Sequence, residues 1–362
     1  VDYKFVHDSL NSRFYWDANE NVLLYTTASD IISAAADSNS YSVTKQTNDF
    51  GYPIVKATSD SALIALDYVK QYSNITFKSY DDPARIVITS KWDEIDSATV
   101  SKSTQVRVKG GIKSPILKEV KKDDKITILD SGDKWDKIAT EDGVIGYIKR
   151  KALSESKKTK LTNPDYEEET FTHIKKDKDI CLAWNQVTSQ SANSKVPQII
   201  SSTKGINVMS PTWFYLNDNN GNLADIASKD YVSYCHSQGI EVWGLFSNFE
   251  NTDVDAAYVL THTSTRTTLI NQIMSAAFNY ELDGVNIDFE NITEAAYGDS
   301  YIEFIRELAI KCHNNGISLS VDVTVPASFN KFFNRSDMAN FADYIVIMGY
   351  DEHYKGSDAG SV

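Results

Sequence analysis

The sequence predicts a multidomain chain: a small α+β domain, a small β-barrel, and then an α/β barrel of the (β/α)8 TIM type that stops after its sixth strand. Three observations predict it. From residue 178 onward, strand-like and helix-like segments alternate, with helices of about 10–15 residues, the pattern of a parallel sheet with crossover helices. Across 98–156, short alternating strands are separated by glycine- and aspartate-containing turns. Charge is also unevenly spread. Residues 101–160 hold 16 Lys and Arg against 9 Asp and Glu, a local +7 that leaves −21 for the rest of a chain at −14.

The first domain is drawn at 1–97. Arg13-Phe14-Tyr15-Trp16 and Val22-Leu23-Leu24-Tyr25 flank the polar Asp17-Ala18-Asn19-Glu20-Asn21, a β-hairpin pattern. A helix is predicted over 59–72, with Ala62, Leu63, Leu66, Tyr68 and Val69 apolar and Ser59 or Asp60 as cap. Segments 74–80 and 84–90 alternate around Asp81-Asp82-Pro83, a second hairpin. The whole is similar to the small domain named after the copper amine oxidase N-terminus. That name implies no copper here, since His7 and Asp8 lack clustered partners. No cofactor is expected.

The second domain is drawn at 98–156, with strands over 105–108, 125–129, 135–139 and 144–148. Gly110-Gly111, Ser131-Gly132-Asp133 and Glu141-Asp142-Gly143 mark the turns. Val106-Arg107, Trp135-Asp136-Lys137-Ile138 and Gly143-Val144-Ile145-Gly146-Tyr147-Ile148 resemble a bacterial Src-homology-3-like module. The resemblance implies a contact with anionic cell-wall polymers, which the local positive charge suits; a rigid spacer is the alternative. Residues 157–177 read as a polar linker, because Lys157-Lys158-Thr159-Lys160 and Asp165-Tyr166-Glu167-Glu168-Glu169 show no apolar period.

In the barrel, 178–362, strands are predicted over 180–184, 206–214, 241–246, 284–289, 318–325 and 344–349. Helices are predicted over 191–202, 229–238, 264–279, 300–314 and 330–340. The fourth strand carries the chemistry. In Leu282-Asp283-Gly284-Val285-Asn286-Ile287-Asp288-Phe289-Glu290 the polar and apolar residues alternate, so Asn286, Asp288 and Glu290 share one face. A row of acids on one wall is costly to bury without partners, and coupled carboxyls shift each other's protonation. An edge strand with solvated acids would not carry so apolar an opposite face. The sixth strand ends in Ile347-Met348-Gly349-Tyr350-Asp351. Catalytic groups of such barrels sit at the C-terminal ends of the strands.

These two motifs resemble those of glycoside hydrolase family 18, whose pattern Asp-Gly-apolar-Asp/Asn-apolar-Asp-x-Glu is complete here, as is Met-x-Tyr-Asp. The resemblance implies a retaining, substrate-assisted glycosidase acting on N-acetylglucosamine-containing glycans. Glu290 would be the acid and then the base, and Asp288 would stabilise the oxazolinium formed by the substrate's acetamido group. Tyr350 would hold the acetamido carbonyl, and Asp351 would bind hydroxyls or orient Tyr350. Asn286 stands where many chitinases have an Asp and cannot ionise. Asp283 and Gly284 would be structural. Trp184 and Trp213 are candidate sugar-stacking residues, with Phe214 and Trp243 less favourably placed; Met348 is a further substrate-binding candidate. Asn185 and Asn248 are placed to bind hydroxyls. The segments around Trp184, Trp213 and Trp243 look like the spore-cortex and cell-wall N-acetylglucosaminidase branch. Its implied partner is peptidoglycan, or else chitin.

Other classes are disfavoured. No run of eighteen apolar residues is present, so no membrane span is expected. The acidic balance speaks against nucleic acid. Cys181, Cys235 and Cys312, an odd number in apolar-patterned segments, read as free buried thiols. The chain begins at Val1 with no visible leader, and its 185 residues from Lys178 fall short of the roughly 250 of a full barrel. It therefore reads as a piece of a longer, secreted or surface-bound protein. A chitinase, an endo-N-acetylglucosaminidase and a non-catalytic carbohydrate-binding wall protein are the alternatives.

Overall fold

The computed structural model describes residues 1–362 apart from 291, 293, 294, 332, 351, 352, 354–356, 361 and 362. Two compact units form. One joins Val1–Ala65 to Glu169–Val362, and the other is Leu66–Glu168.

The first unit is built on a parallel sheet of six strands in sequential order: Leu182–Asn185, Val208–Leu216, Glu241–Ser247, Gly284–Asp288, Ser318–Thr324 and Tyr344–Met348. Helices cross between them, among them Lys229–Ser237, Thr263–Tyr280, Ala295–His313 and Arg335–Phe341. This is part of a (β/α) barrel. The predicted strands lie on these elements to within a few residues, as do the helices predicted over 229–238 and 264–279; the 300–314 helix already begins at Ala295, the 330–340 helix begins only at Arg335, and the 191–202 helix is α-helical only over Val196–Ser201. The structure adds a short helix, Ala256–Thr261, and a three-residue strand, Leu223–Asp225, that turns back antiparallel on the second strand. Period-2 alternation explains the sheet. Val285 and Ile287 pack outward with Leu319, Val321, Ile273 and Leu308, while the polar residues between them face the barrel interior. Gly284 has no room for a side chain, since a Cβ there would lie 2.6 Å from the Trp243 ring.

Val1–Ala65 is not a separate domain. Its strands Phe14–Asp17, Val22–Thr26, Ile31–Ala35, Ser40–Val43 and Gln46–Asp49 form an antiparallel meander, beginning with the predicted hairpin. The meander packs on the barrel's helices. Tyr15 Oη and Ser300 Oγ lie 2.9 Å apart, and Thr26 Oγ1 donates to Glu303 at 3.0 Å. Arg266, wholly buried, pairs with Glu307 at 2.8 Å and lies over the Tyr15 ring. Arg306 bridges Glu303 and Asp337. Buried charges demand such partners. The domain boundary drawn at 97 thus does not coincide with the boundary of the compact unit, because the meander's polar side chains are satisfied by the barrel.

In Leu66–Glu168, seven strands form one antiparallel sheet around Val100, Val106, Val120, Ile126, Ile138 and Ile148. Three of its strands depart from the sequence reading. Glu94–Thr99 and Ile116–Val120 fall outside the predicted strands, and Lys157–Lys160, expected in the linker, pairs in register with Glu94–Thr99. Backbone pairing at a sheet edge needs no apolar period. The predicted 59–72 helix is a helix only over Leu66–Tyr72, because Ala62–Ile64 pairs with Val55–Ala57 as a strand. The 76–81 and 84–89 strands form the second predicted hairpin. Of the cysteines, Cys235 and Cys312 are buried and Cys181 is exposed, contrary to the expectation of three buried thiols. Among the described residues no helix is long and apolar enough to cross a membrane.

Candidate active site

The interior face of the sheet is polar in its upper half. Register places Trp184 beside Ser210, Leu245 beside Asn286, Ser247 beside Asp288, and Asn286 beside Ser320. Asn286 is the hub and has no exposed surface. Its Oδ1 accepts from Trp184 Nε1 at 2.9 Å and from Ser210 Oγ at 3.0 Å, and its Nδ2 donates to Asp322 Oδ1 at 2.9 Å. An indole N–H only donates, so the atom facing Trp184 must be the amide oxygen. The Nδ2 group is thereby aimed at the fifth strand, where an acceptor waits. An ionised Asp at 286 would instead oppose Asp322.

The carboxylates sit above this layer. Asp288 ends the fourth strand half-buried, and its Oδ1 is buried without a hydrogen-bond partner among the described residues. Burial, then the charges of Glu290 and Glu250, push its carboxyl up to about 6. Glu290 follows the strand with its side chain exposed. Its backbone is clamped by Asn248, which donates to the Glu290 carbonyl at 2.8 Å and accepts from the Glu290 amide at 2.9 Å. Asn248 was expected to bind sugar hydroxyls, but both ends of its amide are committed to this clamp. Glu250 accepts from the buried Ser247 Oγ, at 2.7 and 2.6 Å to its two oxygens. On the fifth strand, Asp322 is buried. Desolvation raises its carboxyl to about 7, against the lowering donors Asn286 and Trp184, while Asp288 and Glu290 raise it further.

At the rim, Tyr350 stands edge-on to Trp184 with ring centroids 6.5 Å apart, and its hydroxyl reaches Met348 Sδ at 3.3 Å. Trp184 is 39% exposed and Tyr350 44%, so both rings have open surface. The structure therefore gathers Asn286, Asp288, Glu290, Trp184, Tyr350 and Met348 on one side of the sheet. Asp351 lies outside the described residues. Two expected sugar contacts lie on the other side. Trp213 is 0% exposed, donates to Asn193 Oδ1 at 2.8 Å and packs on Phe214 and Tyr231. Asn185 Nδ2 donates to the Tyr231 hydroxyl at 2.8 Å, turned toward the helices by strand alternation. Phe214 stacks on Phe246 in the core, and Trp243 is buried against Tyr344. Asp283 precedes the strand and accepts from Val242 N and from His236, both at 2.8 Å. Asp322, Glu250, Ser210 and Ser247 were not singled out from sequence. A signal existed for Asp322: Ser318, Ser320, Asp322 and Thr324 alternate with Leu319, Val321 and Val323 just as the fourth strand does.

Acids gathered beside exposed aromatics at the C-terminal ends of parallel barrel strands stand where such barrels carry their chemistry. The family model described as "Glycosyl hydrolases family 18" matches residues 251–360, and the chain carries a domain of that family. The matched span includes Asp283, Asn286, Asp288, Glu290, Asp322 and Tyr350. YvbX of Bacillus subtilis (strain 168), named an uncharacterised glycosylase, is 24% identical over 159 residues, 40% of this chain and 45% of YvbX. YdhD of the same strain, named a candidate sporulation-specific glycosylase, is 32% identical over 108 residues, 29% of this chain and 26% of YdhD. The chain thus spans less than half the length of the curated relatives it matches. A solved chitinase from Chromobacterium violaceum ATCC 12472 is 20% identical, with a TM-score of 0.43 over 50% of this chain and 59% of that one.

Proposed function

We propose that this protein hydrolyses β-1,4 bonds in N-acetylglucosamine-containing glycans by retaining, substrate-assisted catalysis, with bacterial peptidoglycan, including spore cortex, preferred over chitin. One observation carries the reading. Asp288, with a buried oxygen that has no partner among the described residues, sits next to Glu290, whose backbone Asn248 pins at the strand end. Glu290, with its side chain in the open, is placed to protonate the glycosidic oxygen and later to activate water. The Asp288 carboxyl, beside Glu290 at the strand end, would accept the acetamido N–H and oppose the oxazolinium charge. Tyr350 would hold the acetamido carbonyl and Trp184 would offer a face to a sugar ring. The name of one B. subtilis relative, YdhD, favours a sporulation setting over chitin breakdown. The protein would then act outside the cell or at its surface. The positively charged stretch at 101–160 would meet anionic wall polymers, through a domain read as Src-homology-3-like.

A chitinase or an endo-N-acetylglucosaminidase would use the same site on another glycan. A wall-binding protein without catalysis is disfavoured by the intact Glu290. The test compares the protein with its Glu290→Gln variant on purified peptidoglycan and on chitin oligomers, with products read by mass spectrometry. Wild type is expected to release N-acetylglucosamine-ended fragments, and the variant to lose about 10²–10⁴-fold in rate with an unchanged melting temperature. Binding without cleavage by both proteins would leave only the carbohydrate-binding reading.

A further inference from the structure

We propose that Asp322 is a positioning residue for this reaction: it fixes the Asn286 amide and forms with Asp288 a pair of carboxyls that holds a single proton. The inference rests on the roles given to Asp288 and Glu290 above.

The geometry leaves little choice. Asp322 is 4% exposed, on the strand next to the one that carries Asp288. Its Oδ1 accepts from Asn286, whose orientation is dictated by the Trp184 indole. Among the described residues, the groups that face this pair are neutral or acidic. Trp184 comes from the first strand, Ser210 from the second and Glu250 from beyond the third. Asn286 and Glu290 come from the fourth strand and its end, and the phenol of Tyr301 from the Ala295–His313 helix. Lys176 pairs with Glu241, Arg266 with Glu307, Arg306 with Asp337 and His313 with Asp343, while Arg335 donates to the Thr324 and Asn330 carbonyls rather than to a carboxyl. Among the described residues none forms an ion pair with Asp288 or Asp322. Two like charges in a desolvated site without a counter-charge do not both ionise near neutrality. The deeper carboxyl retains the proton, in line with a carboxyl pushed up to about 7 for Asp322 and about 6 for Asp288.

The function of the arrangement follows. With Asp322 neutral, Asp288 takes the negative charge, and it is Asp288 that faces the developing cation. With Asn at 286, the second carboxyl of the pair stands across the amide on the neighbouring strand rather than two residues away on the same one.

The test is a ¹³C NMR titration of the aspartate carboxyls in the wild-type protein, in Asp322→Asn and in Asp288→Asn, with a thermal melt of each. A carboxyl that titrates near neutrality in wild type should vanish in Asp322→Asn. In Asp288→Asn that carboxyl should become about tenfold more acidic, because its charged neighbour is gone. An Asp322 carboxyl titrating in the ordinary aspartate range in wild type overturns the proposal, and so does one indifferent to Asp288→Asn. The pH profile of glycan release adds the catalytic readout. A transition near neutrality in wild type should be displaced in Asp322→Asn, and an identical profile would remove the positioning role. If wild type cleaves no glycan, the proposed reaction fails, while the titration still decides whether the pair exists.

Discussion

At the scale of single residues, the interior of the barrel shows how one amide organises several polar groups that would otherwise be costly to bury. Asn286 satisfies an indole, a hydroxyl and a carboxyl at once. A buried donor left unmatched costs roughly 1–3 kcal/mol, which is why an apolar residue of the same size would not serve here. The same layer makes stability depend on pH. Asp322 binds its proton more tightly in the folded chain, where its carboxyl lies at about 7, than at its ordinary 3.8. Between those values the native state holds more protons than the unfolded one, so this contribution is fully favourable below about pH 4 and is lost as pH rises through about 7. Asp322→Asn, which stays neutral and keeps an acceptor for Asn286, is therefore expected to melt above wild type at pH 8 and to converge with it at pH 4. The gap is on the order of a few kcal/mol, because each tenfold change in acidity between the folded and unfolded chain is worth about 1.4 kcal/mol. Thermal denaturation at the two pH values checks it; a variant less stable than wild type at both would refute it.

At the scale of elements, the Thr263–Tyr280 helix shows what local sequence leaves out. The residue before it, His262, offers no capping side chain. The cap comes from the N-terminal hairpin, 246 residues away. Asp17 Oδ2 accepts from Thr263 N at 2.7 Å and Thr263 Oγ1 at 2.6 Å, and Glu20 accepts from Ser264 N at 2.9 Å. Two acids at a helix N-terminus satisfy orphan amides and oppose the positive end of the dipole. Asp17→Ala should lower stability by about 2 kcal/mol and speed amide exchange at Thr263 and Ser264. A normal exchange rate at Thr263 in the variant would show that the cap is dispensable. The alternation that placed the six parallel strands needed only neighbouring residues, so it was legible. The turn over 17–21 was legible as a hairpin loop but not as a helix cap, because the helix it serves is remote in sequence. The Lys157–Lys160 strand was hidden for a similar reason: its partner, Glu94–Thr99, supplies the hydrogen bonds, and its own side chains carry no pattern.

At the scale of the whole molecule, the unit that holds the candidate site includes the first 65 residues. Removing Val1–Ala65 would take away Tyr15, Asp17 and Thr26, and with them groups that pack on or pair with Arg266, Thr263 and Glu303 inside the protein. Buried charge networks broken on one side are strongly destabilising. A chain beginning at residue 66 is therefore expected to lose the cooperative melt of the barrel unit. Residues 66–168 expressed alone should keep a cooperative transition, because their sheet has its own apolar core. Circular dichroism melts of both truncations decide the matter, and a barrel that melts normally without residues 1–65 would refute the dependence.

The sequence by itself determined the parallel strands, their order and the acids at their ends, since each depends on side-chain alternation within a few residues. It also carried the Asp-Gly-x-Asn-x-Asp-x-Glu and Met-x-Tyr-Asp patterns by which the family is recognised. Tertiary structure alone decided which polar side chains are free for chemistry. Asn248 and Asn185 look alike in sequence as strand-end amides, yet one clamps Glu290 and the other is turned to the helices. Trp184 and Trp213 look alike as strand-end tryptophans, yet only Trp184 presents a face to the interior. The choice rests on hydrogen-bond partners and burial supplied by residues tens to hundreds of positions away. For the same reason Asp322, unremarked in its own strand, stands beside Asp288 as the second carboxyl of the site.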